Sequence, residues 1–353
     1  MPTFSAEPLT AATARILEAA GTPAEASAKI ATWLVRADLS GHPSHGVIRI
    51  PDYIDRIRQG AFIPAVGPVV ASESDTTVLL DAQYGFGHLA AEDLTLRLAA
   101  KAKTSRVAIG GIFHCNHIGR LGEWAELGAD LGVVYLMAAG GPGTMRAAPF
   151  GGAEGRLSTN PMAFGAPAEG TDPLIVDFAT TATAEGKVRV ALAKGTQLPP
   201  GQILDGDGQP STNPGDLYDG GVLLHMAGHK GYGLSLMTEI LAANLTGAIN
   251  PEINVRIGTF AMAVDTNAFD RGDGYDPASR DTFDRMRNTR PAAGFDEVLI
   301  PGDTERRSRE TLSTAGLPVA EATWTAILDT ADSLGLDRDE LDGLARGSKE
   351  MGA

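Results

Sequence analysis

The chain is poor in cysteine, in basic residues and in long apolar runs, and each shortage narrows its class. One cysteine, Cys115, in 353 residues excludes an internal disulfide framework and is compatible with a reducing compartment. Twenty-nine Lys and Arg stand against 44 Asp and Glu, a net charge of −15. Nucleic acid and anionic membranes both need a basic footprint, so neither is an expected partner. An anionic substrate would have to be caught by a local positive group, because the global field repels it. No stretch reaches the roughly 18 uncharged apolar residues of a membrane helix. Met1 to Gly21, with Glu7, Arg15 and Glu18, lacks the pattern of a signal peptide, so a cytoplasmic protein is expected. Also missing are a Gly-x-x-x-x-Gly-Lys-Ser/Thr phosphate loop, a Gly-x-Ser-x-Gly elbow, a Cys-x-x-Cys pair and a His-Glu-x-x-His helix.

What remains is an ordinary globular composition, 43% hydrophobic and 21% charged, long enough for two or three domains. Leu9, Ile16 and Leu17 mark a first helix that stops at Gly21. Thr22-Pro23-Ala24-Glu25 reads as a capping box opening a second helix through Ile30, Leu34 and Val35. Strands are expected at Thr77–Asp81, Val107–Phe113, Val133–Ala138, Leu174–Phe178 and Phe260–Val264. Helices are expected at Leu89–Lys103, Leu121–Leu131, Gly231–Thr246 and Glu321–Arg346. Asp205-Gly206-Asp207-Gly208 signals a hairpin. The mixture is α/β, but the strands are not spaced as regular βαβ units.

Ser44-His45-Gly46-Val47-Ile48-Arg49, read as the end of the second helix, sets an imidazole, a glycine and a permanent cation within six residues. An imidazole can exchange a proton near neutrality, and a guanidinium can grip a carboxylate with two parallel hydrogen bonds. The same spacing equally suits a helix C-terminus closed by Gly46, with His and Arg facing the dipole. His114-Cys115-Asn116-His117 offers a second imidazole. The His42/His45 and His114/His117 pairs have a spacing zinc accepts, yet no further ligand motif accompanies them, and no metal is expected. Cys115 reads as a structural thiol. Gly85-Phe86-Gly87-His88-Leu89-Ala90 matches a dinucleotide fingerprint, but the acidic residue due about 20 positions on is missing. Gly228-His229-Lys230-Gly231 opens a helix whose amides and lysine suit an anion. Ser158-Thr159-Asn160-Pro161 and Asp177-Phe178-Ala179-Thr180-Thr181 carry hydroxyls and an amide that either bind a polar cofactor or form ordinary turns.

In order and spacing, SHGVIR (44–49), HCNHIGRLGEWA (114–125), PFGGAE (149–154), STNPMAFGAP (158–167), IVDFATTATAEGKV (175–188), GHKGYGL (228–234) with ILAANLTG (240–247), and IPGD (300–303) resemble the type-2 malate/L-lactate dehydrogenase family. The resemblance implies a non-Rossmann cofactor domain on a mostly antiparallel mixed sheet, flanked by helical domains, and a homodimer. It divides the chain into a helical domain (1–75 with 315–353), a cofactor-binding sheet domain (76–225 with 254–314) and a helical segment at the cleft (226–253). It implies NAD or NADP as cofactor and a small 2-hydroxy acid and its 2-oxo acid as substrates. Cyclic imino-acid reduction and non-catalytic NAD(P) binding are the alternatives. Carried over residue by residue, His45 and His117 share the acid/base work, with His45 the expected proton donor. Ser44, Arg49, Thr159 and Asn160 face the substrate. Asp177, Phe178, Ala179, Thr180, Thr181, His229, Lys230, Gly231, Pro301, Gly302 and Asp303 line the cofactor. Ala138 to Arg146 departs from the polar segment many relatives carry there, and so adds Arg146 as a candidate pocket residue.

Overall fold

The computed structural model describes residues 1–141, 145–248, 257–269 and 274–347. Near the N-terminus, β1 (Thr3–Phe4), α1 (Ala6–Ala19), α2 (Ala24–Leu39) and α3 (Ile50–Arg58) precede the first strands of the main sheet, β2 (Val69–Glu73) and β3 (Thr77–Asp81). Then follow α4 (Gly87–Ser105), β4 (Val107–Cys115), α5 (Leu121–Asp130), β5 (Val133–Gly140), β6 (Met162–Ala166), β7 (Leu174–Phe178) and α6 (Glu185–Lys194). Short strands β8 (Ile203–Leu204), β9 (Pro210–Ser211) and β10 (Val222–Leu223) lead to α7 (His229–Thr238), a π-helical turn at Glu239–Asn244 and β11 (Ile257–Asp265). The chain closes with α8 (Tyr275–Arg287), α9 (Asp303–Ala315), β12 (Leu317–Pro318), α10 (Glu321–Asp332) and α11 (Arg338–Ala345).

The main sheet runs β2-β3-β4-β11-β5-β6-β7. Only β3 and β4 pair in parallel, joined by the crossover helix α4; the other pairings are antiparallel. This is the mixed, mostly antiparallel α/β sheet that the family resemblance implies, and it accords with the irregular strand spacing. One sheet face buries Tyr135, Met137, Ala261 and Ala263 beneath Leu94, Leu98, Trp124 and Ala129 of α4 and α5. A Cβ on Gly128 would lie 2.5 Å from the Tyr135 ring, so that glycine sets how closely α5 approaches. A second core joins α1, α2, α3, α10 and α11 through Phe4, Leu9, Leu17, Ile30, Tyr53 and Trp324. A third, smaller core lies between α6 and the β8–β10 sheet, whose first hairpin turns at Asp205–Gly208 as expected.

Four expectations need correction. The capping box does not form: Pro23 precedes α2 without a side-chain cap, and the Thr22 hydroxyl is buried without a partner. The stretch 231–246 is not one α-helix with a buried leucine face. Leu236, Met237, Ile240 and Leu245 point outward, while Ser235, Thr238, Ala242 and Ala243 face the sheet. The cause is the sheet's glycines: a Cβ on Gly258 would meet Ala242 O at 1.8 Å, and one on Gly111 would meet Thr246 Cγ2 at 2.5 Å. Only small side chains fit at that separation. The final helix breaks at Gly335, whose φ is +82°, and restarts at Asp337, whose carboxylate caps Asp339 and Glu340. Finally, α2 stops at Leu39, so His45 does not end it. Two 3₁₀ turns, Pro43–His45 and Val47–Arg49, carry the chain into α3, and Gly46 is extended at φ −91°.

Candidate active site

Asp38, in the last turn of α2, shapes the segment that follows. Its carboxylate accepts the Val47 N–H at 2.9 Å, directly beneath Gly46. A Cβ on Gly46 would fall 2.0 to 2.2 Å from the carboxyl atoms, so close approach demands glycine here. Above this support, Arg49 Nε donates to Ser44 O at 2.7 Å, and Ser44 Oγ lies 3.0 Å from His45 Nδ1. Among the described residues no carboxylate comes within salt-bridge distance of Arg49, which leaves its outer nitrogens for an external anion.

His117 follows β4 and meets this segment. The His45 and His117 rings stack 5.6 Å apart at 16°. Tyr53 Oη, one helical turn beyond Arg49, lies 2.7 Å from His117 Nδ1, and Gly119 N–H donates to the same nitrogen at 3.3 Å. His88 packs edge-on to Tyr53 and His117, fully buried and, among the described residues, without a hydrogen-bond partner for either ring nitrogen. Burial, then the Arg49 charge, holds the His45 imidazole down at about 3. Burial alone lowers His88 to about 3, and burial with Arg49 and His45 lowers His117 well below the usual range. Asp38 is pushed up to about 7 by burial, against the pull of the Val47 amide.

The paired-histidine metal reading finds its nitrogens directed elsewhere: His42 to Glu305 at 3.1 Å and His114 to Asp81 at 3.1 Å. Cys115 is buried, its thiol raised to about 12 by burial, as a structural thiol should be. The glycines of the dinucleotide-like fingerprint serve packing. A Cβ on Gly87 would lie 2.4 Å from Asn116 O and 2.7 Å from His117 O.

Behind the histidines, buried Arg120 donates from Nε to Glu123 at 3.0 Å. Asp177, at the end of β7, accepts the Gly122 N–H at 2.8 Å; burial raises its carboxyl and Arg120 opposes this. Beyond Asp177, Phe178 pairs with Met162 across the sheet edge, and Ala179 leads on to the next turn. Thr180 N–H and Oγ1 both donate to Thr159 O, and Thr181 bridges to His225. Asn160, at φ +36°, donates to Ser235 O at 3.0 Å and Glu239 Oε2 at 2.9 Å. Gly231 closes on the same turn, since its Cβ would meet Met226 O at 2.3 Å and Thr180 O at 2.9 Å. Pro301 O accepts the Ile175 N–H, and Gly302 packs on Ile175. Asp303 is fully engaged by Arg287, Arg306 and the Ile300 amide.

His229 and Lys230 are exposed at the start of α7, with His229 edge-on to Phe150. They flank a cleft of about 480 Å³ lined by Ala148, Phe150, Ala182, Leu224, His225 and Gly228, which neither His45 nor His117 reaches. Arg146 stacks over Tyr218, and Pro142, Gly143 and Thr144 of its departing segment lie outside the described residues. Tyr53, Arg120, Asp38 and His88 are site groups to which the sequence motifs assigned no role. Arg120 stands inside one of the family-like motifs, and Tyr53 stands four positions after Arg49 on one helical face.

A guanidinium with no carboxylate partner among the described residues, set beside two imidazoles and backed by hydroxyl- and glycine-rich turns, is an arrangement able to hold an organic anion and exchange a proton. A family model described as malate/L-lactate dehydrogenase matches residues 4–328. The chain is 31% identical to hydroxycarboxylate dehydrogenase B of Escherichia coli (strain K12) over 349 residues, 96% of each chain. It is 32% identical to the L-sulfolactate dehydrogenase of Methanothermobacter thermautotrophicus, covering 91% of this chain and 94% of the other. The solved structure of the sulfolactate dehydrogenase of Methanocaldococcus jannaschii superposes with a TM-score of 0.86 at 29% identity, over 96% of this chain and 99% of that one. The chain belongs to the malate/L-lactate dehydrogenase family.

Proposed function

We propose that the protein is an oxidoreductase that uses NAD or NADP to interconvert a small 2-hydroxy acid and its 2-oxo acid. The observation that carries this reading is the carboxylate-free Arg49 set beside the stacked His45 and His117. Arg49, with Ser44, grips the substrate carboxylate and fixes the reacting carbon. In reduction His45 gives a proton to the carbonyl oxygen. Burial and then the Arg49 charge hold its value low, and a carboxylate seated on Arg49 offsets the second of these causes. His117 orients the same oxygen, and Thr159 and Asn160 close the substrate side.

The residues fit a nicotinamide cofactor. Among the described residues, Asn160 Oδ1, Ser235 Oγ and Thr238 Oγ1 are buried without partners, and such polar groups are ones a ligand amide can satisfy. Asp177, Phe178, Ala179, Thr180, Thr181, Gly231, Pro301 and Gly302 would hold it, His229 and Lys230 would meet its phosphates, and Asp303 would brace the Pro301–Gly302 turn. When bound, the nicotinamide supplies or accepts the hydride. We assign residues 1–75 with 315–353 to the helical domain that presents Arg49, and 76–225 with 254–314 to a cofactor domain of non-Rossmann type. The antiparallel pairings and the packing role of Gly87 support that type. We assign 226–253 to a segment at the cleft, supported by Ala227 and Gly228 in the cleft lining.

A homodimer fits the outward Leu236, Met237, Ile240 and Leu245, which form an apolar strip a second copy would cover. Among the described residues no helix is long and apolar enough to cross a membrane, and a cytoplasmic location accords with the composition. The test is a panel of lactate, malate, sulfolactate, their 2-oxo partners and cyclic imino acids, each with NAD(H) and NADP(H). Turnover of a hydroxy/oxo acid pair supports the reading. Turnover confined to imino acids moves the chemistry to C=N reduction, and cofactor binding without any turnover leaves a binding protein.

A further inference from the structure

Two imidazoles in one site pose a question of roles, and the hydrogen bonds around His117 answer it. A backbone amide can only donate. Because Gly119 N–H points at His117 Nδ1 at 3.3 Å, that nitrogen carries a lone pair in the neutral ring and the proton sits on Nε2. The 3.3 Å contact is long for such a bond, so the amide alone holds the tautomer weakly. Tyr53 Oη lies 2.7 Å from the same nitrogen and must therefore act as donor.

We propose that Tyr53 is a positioning residue that locks His117 as its Nε2–H tautomer, making His117 a fixed hydrogen-bond donor to the substrate oxygen and leaving proton transfer to His45. This rests on the oxidoreductase reading of the site. The Tyr53 ring is firmly held, being fully buried, 5.4 Å from Phe62, 5.7 Å from Phe86 and 6.0 Å from His88. Burial also raises its phenol, so the hydroxyl stays protonated at any working pH. His45 is built differently. Its Nδ1 meets the Ser44 hydroxyl, which can donate or accept, so neither tautomer nor the charged form is forbidden. Tyr53 and Arg49 stand one turn apart at the start of α3, so one helix end sets both the anion anchor and the tautomer lock.

The test combines nitrogen NMR of the ¹⁵N-histidine-labelled full chain with kinetics of Tyr53→Phe. In the wild type, without substrate, His117 should show a pyridine-type Nδ1 and a pyrrole-type Nε2. Tyr53→Phe keeps the ring and removes the donor. It should give His117 mixed or exchanging tautomer signals and lower kcat roughly a hundredfold, as loss of an aligned donor to a developing oxyanion does, with KM nearly unchanged. Tyr53→Leu, if folded, should show the same mixed signals, whereas a merely structural tyrosine would leave the nitrogen pattern intact. A pyrrole-type Nδ1 in the wild type overturns the proposal, as does a wild-type nitrogen pattern in Tyr53→Phe. The NMR arm needs no substrate, so an unexpected substrate class would sink the functional reading while leaving this test standing.

Discussion

The glycine between His45 and Val47 offers a direct way to move the anion anchor without touching it. In Gly46→Ala the new methyl carbon would start 2.0 Å from Asp38 Oδ1, 2.1 Å from Cγ and 2.2 Å from Oδ2, all well inside contact distance. Either Asp38 swings away or the 44–49 turn lifts. If Asp38 swings, it gives up the 2.9 Å bond from Val47 N–H, and an unsatisfied buried group costs about 1–3 kcal/mol. If the turn lifts, Ser44, His45 and Arg49 travel with it, and a displacement of about 1 Å at a reacting centre costs about a hundredfold in rate. We expect Gly46→Ala to lose about 1–3 kcal/mol of stability by overpacking and about a hundredfold in kcat/KM. Chemical denaturation and steady-state assays measure the two effects. Asp38→Ala should open the space the methyl needs, so the double variant should be better than the sum of its parts by about 1 kcal/mol. Wild-type rate and stability in Gly46→Ala would refute the reasoning. Simple additivity with Asp38→Ala would show that the carboxylate does not set the turn.

Arg49→Ala should raise KM for anionic substrates and lower kcat together, by about ten- to a hundredfold in kcat/KM; an unchanged specificity constant removes Arg49 from the site. His45→Asn should abolish most turnover while cofactor affinity, read by fluorescence, stays within a few-fold, and a larger loss in His117→Asn would reverse the two roles. His45, His88 and His117 have folded values below their free value of 6.5, so their contribution to stability is full above about pH 6.5 and is lost as pH falls below it. Asp38, raised to about 7 by burial, acts in the opposite sense but is one group against three imidazoles, so stability should fall as pH drops from 6.5 towards 5; a flat profile over that range would contradict this. Ile240→Lys should convert the proposed homodimer to monomer in sedimentation, and a monomeric wild type would dismiss the apolar strip as an interface.

Local pattern was a sound guide where a residue's neighbours along the chain decide its conformation. Thr77–Asp81 and Leu174–Phe178 are strands at the expected bounds, and the apolar spacing of Leu9, Ile16 and Leu17 marks the buried face of α1. Ordered motifs carried the family and pointed to His45, Arg49 and His117, which the fold brings into one segment pair. Periodicity failed between Gly231 and Thr246 because it reports which residues are apolar and not what the opposite surface admits. Glycines at 111, 140 and 258 of three different strands decided that face. The partners that give the site its chemistry were hidden for a related reason. Tyr53 and His117 are 64 positions apart, and no spacing rule connects them.

The charged residues behind the histidines are likewise brought together from distant parts of the sequence. Arg36 of α2 pairs with Glu123 at 2.6 Å and with Glu126 at 3.2 Å, both on α5. Arg120 also pairs with Glu123, while Arg309 of α9 pairs with Glu126. With Asp177 beside Arg120, three cations stand against three anions. Such a cluster adds little net stability over an apolar core, because desolvating the charges consumes most of the attraction. Displacing one member is costly, since a buried charge left unpaired loses about 3–5 kcal/mol. Each glutamate is shared by arginines from separate elements, so α2, α5 and α9 cannot shift independently. The turn bearing His45 and Arg49 leaves from the end of α2, and the turn bearing His117 runs into α5. The charge network thus ties together the elements from which the two imidazole-bearing turns leave, which is where its value would lie.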